Sequence, residues 1–157
     1  MATQTGNLQI RPIDPKDTWE LRHSVLWPSM PFSYVQLEED NSGHHFGAFF
    51  PSQDKPVAVI SVFLEPIPDA SRQAISARFR KFACYPEFQG RGIGSKLLDS
   101  IIAPCSELGV KVIWCDARLS SSQWYSKRGL IPFGESFFKE SVEYIRMKME
   151  LVGPESG

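Results

Sequence analysis

The chain has 157 residues, 42% hydrophobic and 22% charged, the proportions of one globular domain with room for a substantial core. Its 17 lysines and arginines against 18 aspartates and glutamates give a formal net charge of -1, so nothing steers it toward nucleic acid or an anionic membrane surface. Cys84, Cys105 and Cys115 lie far apart without Cys-x-x-Cys spacing, which argues against a disulfide framework or a zinc site and fits a reducing compartment.

Leu8–Ile13 alternates apolar and polar residues as a half-buried strand does. Asp14 is placed to cap a helix that carries Pro15 in its first turn and Trp19, Leu21, Val25 and Leu26 as its apolar stripe. Two prolines in PSMPF end it. Met30–Ser42 reads as a loop or short helix, His44–Phe50 as a strand, and VAVISVFLE as a central strand buried on both faces. PIPDAS is a turn, and Ala74–Tyr85 reads as a long strand. Beyond it, Ile93, Leu97, Leu98, Ile101 and Ile102 make one helical face, which Pro104 should kink or break. Val110–Ala117 is strand-like. SSSQWYSKRG is a short helix with serine caps that ends at Gly129. Ile145, Met147, Met149 and Leu151 alternate with Tyr144, Arg146, Lys148 and Glu150, a strand with one wet face. GPESG is a loose tail. No run reaches the ~20 apolar residues of a membrane-crossing helix. The start has no apolar core of signal-peptide length, so a cytoplasmic, soluble protein is expected.

The stretch YPEFQGRGIGSKLLDS sets Gly90, Gly92 and Gly94 between the end of a strand and the start of a helix. A helix N-terminus offers unpaired N–H groups and partial positive charge, and glycine allows positive φ and close approach of a ligand. Phosphate or diphosphate is the expected guest, with Arg91 and Lys96 adding charge. Ser95 stands where a dinucleotide fingerprint needs its third glycine. The P-loop pattern fails at Ser95 and again at Leu97. Close packing of helix on strand would require one glycine, not three.

QGRGIG resembles the Q/R-x-x-G-x-G/A signature of the GNAT superfamily of N-acetyltransferases, with Gln89, Gly92 and Gly94 on its defined positions. FACYPEFQGRGIGSKLLDSII is similar to that family's fourth strand, loop and third helix, and WYSKRGLIPFGES to its late FYEKLGF segment. The order of elements matches over nearly the whole chain. The resemblance implies an α/β GNAT fold at residues 8–152 with flexible ends at 1–7 and 153–157. Its mixed sheet should hold about seven strands, flanked by about four helices and splayed between strands 4 and 5.

It further implies acetyl-CoA as acyl donor and no metal. The diphosphate would lie on Gln89, Gly90, Arg91, Gly92, Ile93, Gly94 and Ser95. The pantetheine arm would pair with Phe82, Ala83 and Cys84, where unpaired strand backbone suits an amide ligand. Direct attack of an amine on the thioester is the implied reaction, with Tyr125 on the position of the family tyrosine that serves the departing thiolate. The acceptor would be a small-molecule or peptide amine, with no nucleic acid or membrane partner, and a homodimer is compatible with the family. Two positions depart from the family pattern. Arg118 stands where many members carry a cofactor-contacting asparagine, and Arg78 where histone-type members carry a glutamate base. The base is therefore not carried over, and a water chain is the alternative.

His44 and His45 are bases on chemistry alone, but as strand neighbours they point to opposite faces. A covalent role for Cys84 lacks a paired histidine. Arg78, Arg80 and Lys81 read as a solvated strand face, or as a lure for the ribose phosphate of coenzyme A. Acceptor choice is expected between Trp19 and His45, with Trp27, Phe32 and His45 as candidates. There Glu38, Glu39 and Asp40 would form an acidic rim for a cationic amine, unless the aromatics are simply core. The rival function is a non-catalytic acyl-CoA sensor or interaction module on the same fold.

Overall fold

Seven of the apolar-rich runs become strands: β1 (Gln9–Ile13), β2 (His44–Phe49), β3 (Ala58–Leu64), β4 (Ser76–Cys84), β5 (Val112–Arg118), β6 (Ile131–Lys139) and β7 (Val142–Glu150). They form one sheet in the order β1-β2-β3-β4-β5-β7-β6. Four helices accompany it: α1 (Lys16–Leu21), α2 (Ile93–Ser100), α3 (Ile102–Glu107) and α4 (Ser122–Ser126). The computed structural model describes residues 8–68 and 75–151. The ends expected to be loose, the second half of the PIPDAS turn and Ala74 lie outside the described residues.

Strands β1–β2, β2–β3, β5–β7 and β6–β7 pair antiparallel, and β4–β5 pair parallel. The mixed seven-stranded sheet expected from the resemblance is present. The parallel ladder is short. It joins Ser76 to Val112, Ala77 to Ile113 and Arg78 to Trp114, then stops, although β4 runs on to Cys84 and β5 to Arg118. In the part of β4 beyond its ladder with β5, Lys81 has φ +55, a left-handed conformation that L side chains adopt rarely and that interrupts a straight ladder.

The chain divides into two compact units. The first comprises Met1–Phe63 and Lys81–Ile102. Its core joins Leu21, Val59 and Ala83, with Ile13, Val25, Leu26 and Tyr85 packed against them. Asp14 does not cap α1. The Asp17 carboxylate instead accepts the Asp14 N–H at 3.2 Å, and the Thr18 hydroxyl donates to the Pro15 carbonyl at 2.7 Å. Past Leu21 the helix widens into a π-helical turn, Arg22–Leu26, and 3-10 turns follow at Phe32–Val35 and Glu38–Ser42. In α2 the apolar face buries Ile93, Leu97 and Leu98, and the helix breaks at Ile101, just ahead of Pro104.

Arg22 is 0% exposed although it sits inside an apolar stripe. A buried guanidinium needs partners for its donors, and it finds several. It donates to both oxygens of Asp40 at 2.8 and 3.0 Å, to the Val35 carbonyl at 2.9 Å and to the Ser61 hydroxyl at 3.0 Å. His45 extends the network. Its Nε2 donates to the Asp40 carbonyl at 2.9 Å, so Nδ1 accepts from the Ser61 hydroxyl at 2.7 Å. Burial alone would raise the Asp40 carboxyl, but the hydrogen bond and charge of Arg22 outweigh it and hold Asp40 below its usual value. Burial pushes His45 below its usual value and favours the neutral ring. Both 3-10 turns are thereby tied to β2 and β3. Asp40 is thus a buried anchor and leaves the acidic rim expected for this segment.

The second unit comprises Leu64–Arg80 and Ala103–Gly157. Ile67, Val112 and Trp114 form a core cluster with Phe133 packed against it. The serines do not cap α4; its N-cap Ser121 makes no side-chain bond, and the Ser122 hydroxyl donates back to the Leu119 carbonyl at 2.8 Å. Gly129 ends the segment with φ +100, as expected. The expected wet face of β7 is largely covered, because Tyr144, Arg146 and Lys148 are half-buried against neighbouring rings.

Two outcomes test the Arg22 network. Replacing Arg22 with Met leaves Asp40 buried and unpaired and should cost about 3–5 kcal/mol in urea unfolding. Because His45 is neutral in the fold, the unfolded chain binds more protons below its free value of 6.5. Wild-type stability should therefore fall as pH drops below 6.5, by at most ~1.4 kcal/mol per pH unit from this residue. Asp40 adds a second loss as pH falls from 3.8 through its lower folded value. The His45→Gln variant should flatten the first loss and keep the second; an unaltered profile would contradict the assignment.

Candidate functional site

The glycine loop links the end of β4 to α2 within the first unit. Gly90 and Gly92 have φ of +81 and +84, and Gly92 is the N-cap residue of α2 in the left-handed conformation. No side chain caps that helix end. A Cβ added at Gly90 or Gly92 would meet nothing within 4 Å. Close packing of helix on strand is therefore not what these two glycines serve. They set the backbone path and leave the loop surface open, as an anion on helix-terminal N–H groups requires. The Gln89 side chain donates to the Cys84 carbonyl at 2.9 Å and so ties the loop to the strand end. The Arg91 guanidinium lies 5.5 Å from the Phe88 ring centroid, and Phe88 packs on Phe50 at 5.2 Å.

Phe82 and Cys84 are half-buried and Ala83 is buried, on the part of β4 beyond its ladder with β5. Burial, reinforced by Glu87, raises the Cys84 thiol above its usual value, which leaves it a poor nucleophile. Its Sγ donates to the Tyr85 carbonyl at 3.5 Å.

Tyr125 belongs to the second unit. α4 sets its ring 5.9 Å from Phe79 and 5.1 Å from Trp124. Burial, followed by the influence of Cys115, raises the phenol well above its usual range, so it keeps its proton. Its hydroxyl makes no hydrogen bond to any described residue and can donate to a ligand.

The acceptor candidates lie in the first unit. Trp27 packs edge-on against Tyr34 at 4.9 Å, with the Lys81 ammonium 4.6 Å from its ring centroid. Phe32 is 46% exposed and meets Trp19 and His23 edge-on. His45 lies apart from this exposed surface, in the buried network, with both ring nitrogens occupied.

Arg78 is not on a solvated strand face. It donates to Glu65 at 3.2 Å and to Asp116 at 2.9 Å, and lies 5.0 Å from the Trp114 ring centroid. Sequence reasoning passed over Asp116, Arg146 and Lys139 in this cluster and over Arg22 in the first unit. The available signal was a charge set inside an apolar run, as in VIWCDA and WELRHSVL.

A family model for the acetyltransferase (GNAT) domain matches residues 32–151. The uncharacterized N-acetyltransferase YitI of Bacillus subtilis (strain 168) is 28% identical over 132 residues, 83% of this chain and 87% of its own. A GNAT family acetyltransferase from Elizabethkingia anophelis, solved with acetyl-CoA bound, aligns with a TM-score of 0.68 at 18% identity, over 92% of this chain and 99% of that one. The IAA acetyltransferase from Bacillus cereus ATCC 14579 aligns with a TM-score of 0.69 at 20% identity, over 92% and 99%. At these identities the two structures speak for the fold. With the family model covering most of the chain, the short β4–β5 ladder and the left-handed glycine loop are features of a member of the GNAT acetyltransferase family.

Proposed function

We propose that this chain moves an acetyl group from acetyl-CoA to a primary amine by direct attack in a ternary complex. The observation that carries this reading is the loop of Gly90 and Gly92, open at both Cβ positions and leading into an uncapped helix. Backbone N–H groups from Gln89 to Ser95 would hold the diphosphate, and Phe82 to Cys84 would take the pantetheine amides. When bound, acetyl-CoA supplies an acetyl group activated as a thioester. Tyr125, protonated and making no hydrogen bond to a described residue, would donate its hydroxyl proton to the sulfur as the carbon–sulfur bond breaks and the nitrogen–carbon bond forms. It would regain a proton from solvent.

Arg78 occupies the place of a base and His45 has no free nitrogen, so the amine proton would leave through water. Trp27 and Phe32 would line the acceptor side, while His45, buried in the Arg22 network, would not touch the acceptor. Among the described residues no helix is long and apolar enough to cross a membrane, and all three cysteines are free thiols. We place the activity in the cytoplasm on the latter ground.

An arginine at the position of the family's glutamate base, with both nitrogens of His45 occupied, favours one second reading, an acyl-CoA sensor without turnover. Coenzyme A release over a panel of polyamines, amino acids and peptides separates the two. Release with an acceptor supports the transferase, and binding without release on any acceptor supports the sensor.

A valine at Gly92 would have to adopt φ near +84, a strain of about 1–3 kcal/mol. Gly92→Val should therefore weaken acetyl-CoA binding roughly tenfold to a hundredfold by calorimetry. Unchanged affinity would refute the loop assignment. Tyr125→Phe should lower kcat by ~10²-fold or more while acetyl-CoA affinity stays nearly constant. An unaltered rate would remove Tyr125 from the mechanism.

A further inference from the structure

Three cations and Asp116 meet on one face of β4, β5, β7 and β6 in the second unit, and Glu65, just past the end of β3, joins them. Asp116 on β5 has a side chain only 5% exposed. Its Oδ2 accepts from Arg78 at 2.9 Å and lies 3.3 Å from the Lys139 ammonium, and its Oδ1 is 3.1 Å from Arg146 Nε. Glu65 holds the other side of Arg78 at 3.2 Å. One positive charge is left over. Rings form the floor and wall. The Arg146 guanidinium lies 6.0 Å from the Trp114 centroid and 4.8 Å from that of Phe137, and the Lys139 ammonium lies 4.7 Å from that of Tyr144.

The cations here are held mainly by ion pairs to the two carboxylates. Arg146 reaches Asp116 at ion-pair distance but off hydrogen-bond geometry, so Arg146 Nε and Asp116 Oδ1 are both buried without a hydrogen bond, as is Arg78 Nε. The side chains of Lys139 and Arg146 are 47% and 35% exposed, so the cluster is open to solvent. Its position is informative too. Arg78 and Trp114 are the last pair of the β4–β5 ladder, and Asp116 is the next residue of β5 on that face.

We infer that this cluster binds the carboxylate of the acyl acceptor, so that the acceptor is an amino acid, or a peptide with a free C-terminal carboxylate. The inference rests on the transferase reading for the word acceptor, and on the cluster alone for the anion. A carboxylate matches one excess charge and accepts the fork of a guanidinium. A phosphate dianion would exceed that charge, and a polyamine or aminoglycoside would be repelled by it. Trp114, Phe137 and Tyr144 give the apolar body of such a molecule a surface to lie on.

The test uses the full chain and product-like probes that need no coenzyme. N-acetyl-leucine and N-acetyl-leucinamide differ only in the carboxylate. Calorimetry should show the acid binding roughly tenfold or more tightly than the amide, the scale of one charge-assisted contact. Arg146→Gln should bring that ratio close to one, and Lys139→Gln, at a more exposed position, should lower it in part. Equal binding, preference for the amide, no binding of the acid at millimolar concentration, or a ratio that survives in both variants would overturn the inference. Coenzyme A release with leucine, leucinamide and spermidine separates it from the reading beneath it. If amines react but leucinamide or spermidine outruns leucine, the carboxylate site falls and the transferase stands. If acetyl-CoA does not bind while the acid preference holds, the transferase falls and the anion site stands.

Discussion

Two parallel strands share three register pairs and then part: the ladder between β4 and β5 ends at Arg78 and Trp114. A strand that leaves its neighbour leaves backbone N–H and C=O groups that must find other partners, and an extended amide-bearing ligand is one that fits. The structure secures this parting locally. Lys81 takes a left-handed conformation in the middle of β4, and Gln89 folds back to hold the Cys84 carbonyl at the strand's end. The glycine loop then follows at once, so the stretch of β4 beyond its ladder with β5 and a helix start without a side-chain cap are consecutive along the chain.

Charge is placed with the same economy in each unit, but to different ends. In the first unit Arg22 and Asp40 are internal: Arg22 donates to Asp40, to the Val35 carbonyl and to the Ser61 hydroxyl, the Asp40 carbonyl accepts from His45, and Arg22 Nε is left without a hydrogen bond among the described residues. Such a network fixes the geometry of the 3-10 turns that carry Phe32 and Tyr34, and leaves those rings exposed. In the second unit the Asp116 cluster carries one excess positive charge, and two of its cations reach solvent. The enclosed network serves structure, and the solvent-facing one is placed to meet a ligand.

Much of this was legible in the sequence, because it depends on local rules. Alternation located the strands, the helical stripe located α2, and Pro104 marked the break after Ser100. Positive φ at Gly90, Gly92 and Gly129 was foreseeable from glycine itself. The failures have a common physical origin. Arg22, Asp116 and Arg146 find their partners 13 to 39 residues away or across strands, at a separation no local pattern reports. The alternation of β7 was read correctly, but whether its polar face is wet depends on what β5 and β6 bring beside it. The caps failed for a smaller reason: several short polar side chains competed for each helix start, and the backbone took Asp17 over Asp14.

The central claim is that backbone amides of the loop grip a diphosphate. Titrating the folded chain with acetyl-CoA and, separately, with S-acetylpantetheine tests it most directly, since the second ligand keeps the thioester and its amides but lacks the diphosphate. The account predicts measurable binding of acetyl-CoA and a loss of at least about tenfold for the truncated donor, the size of one charge-assisted contact. Equal affinity for the two would contradict it.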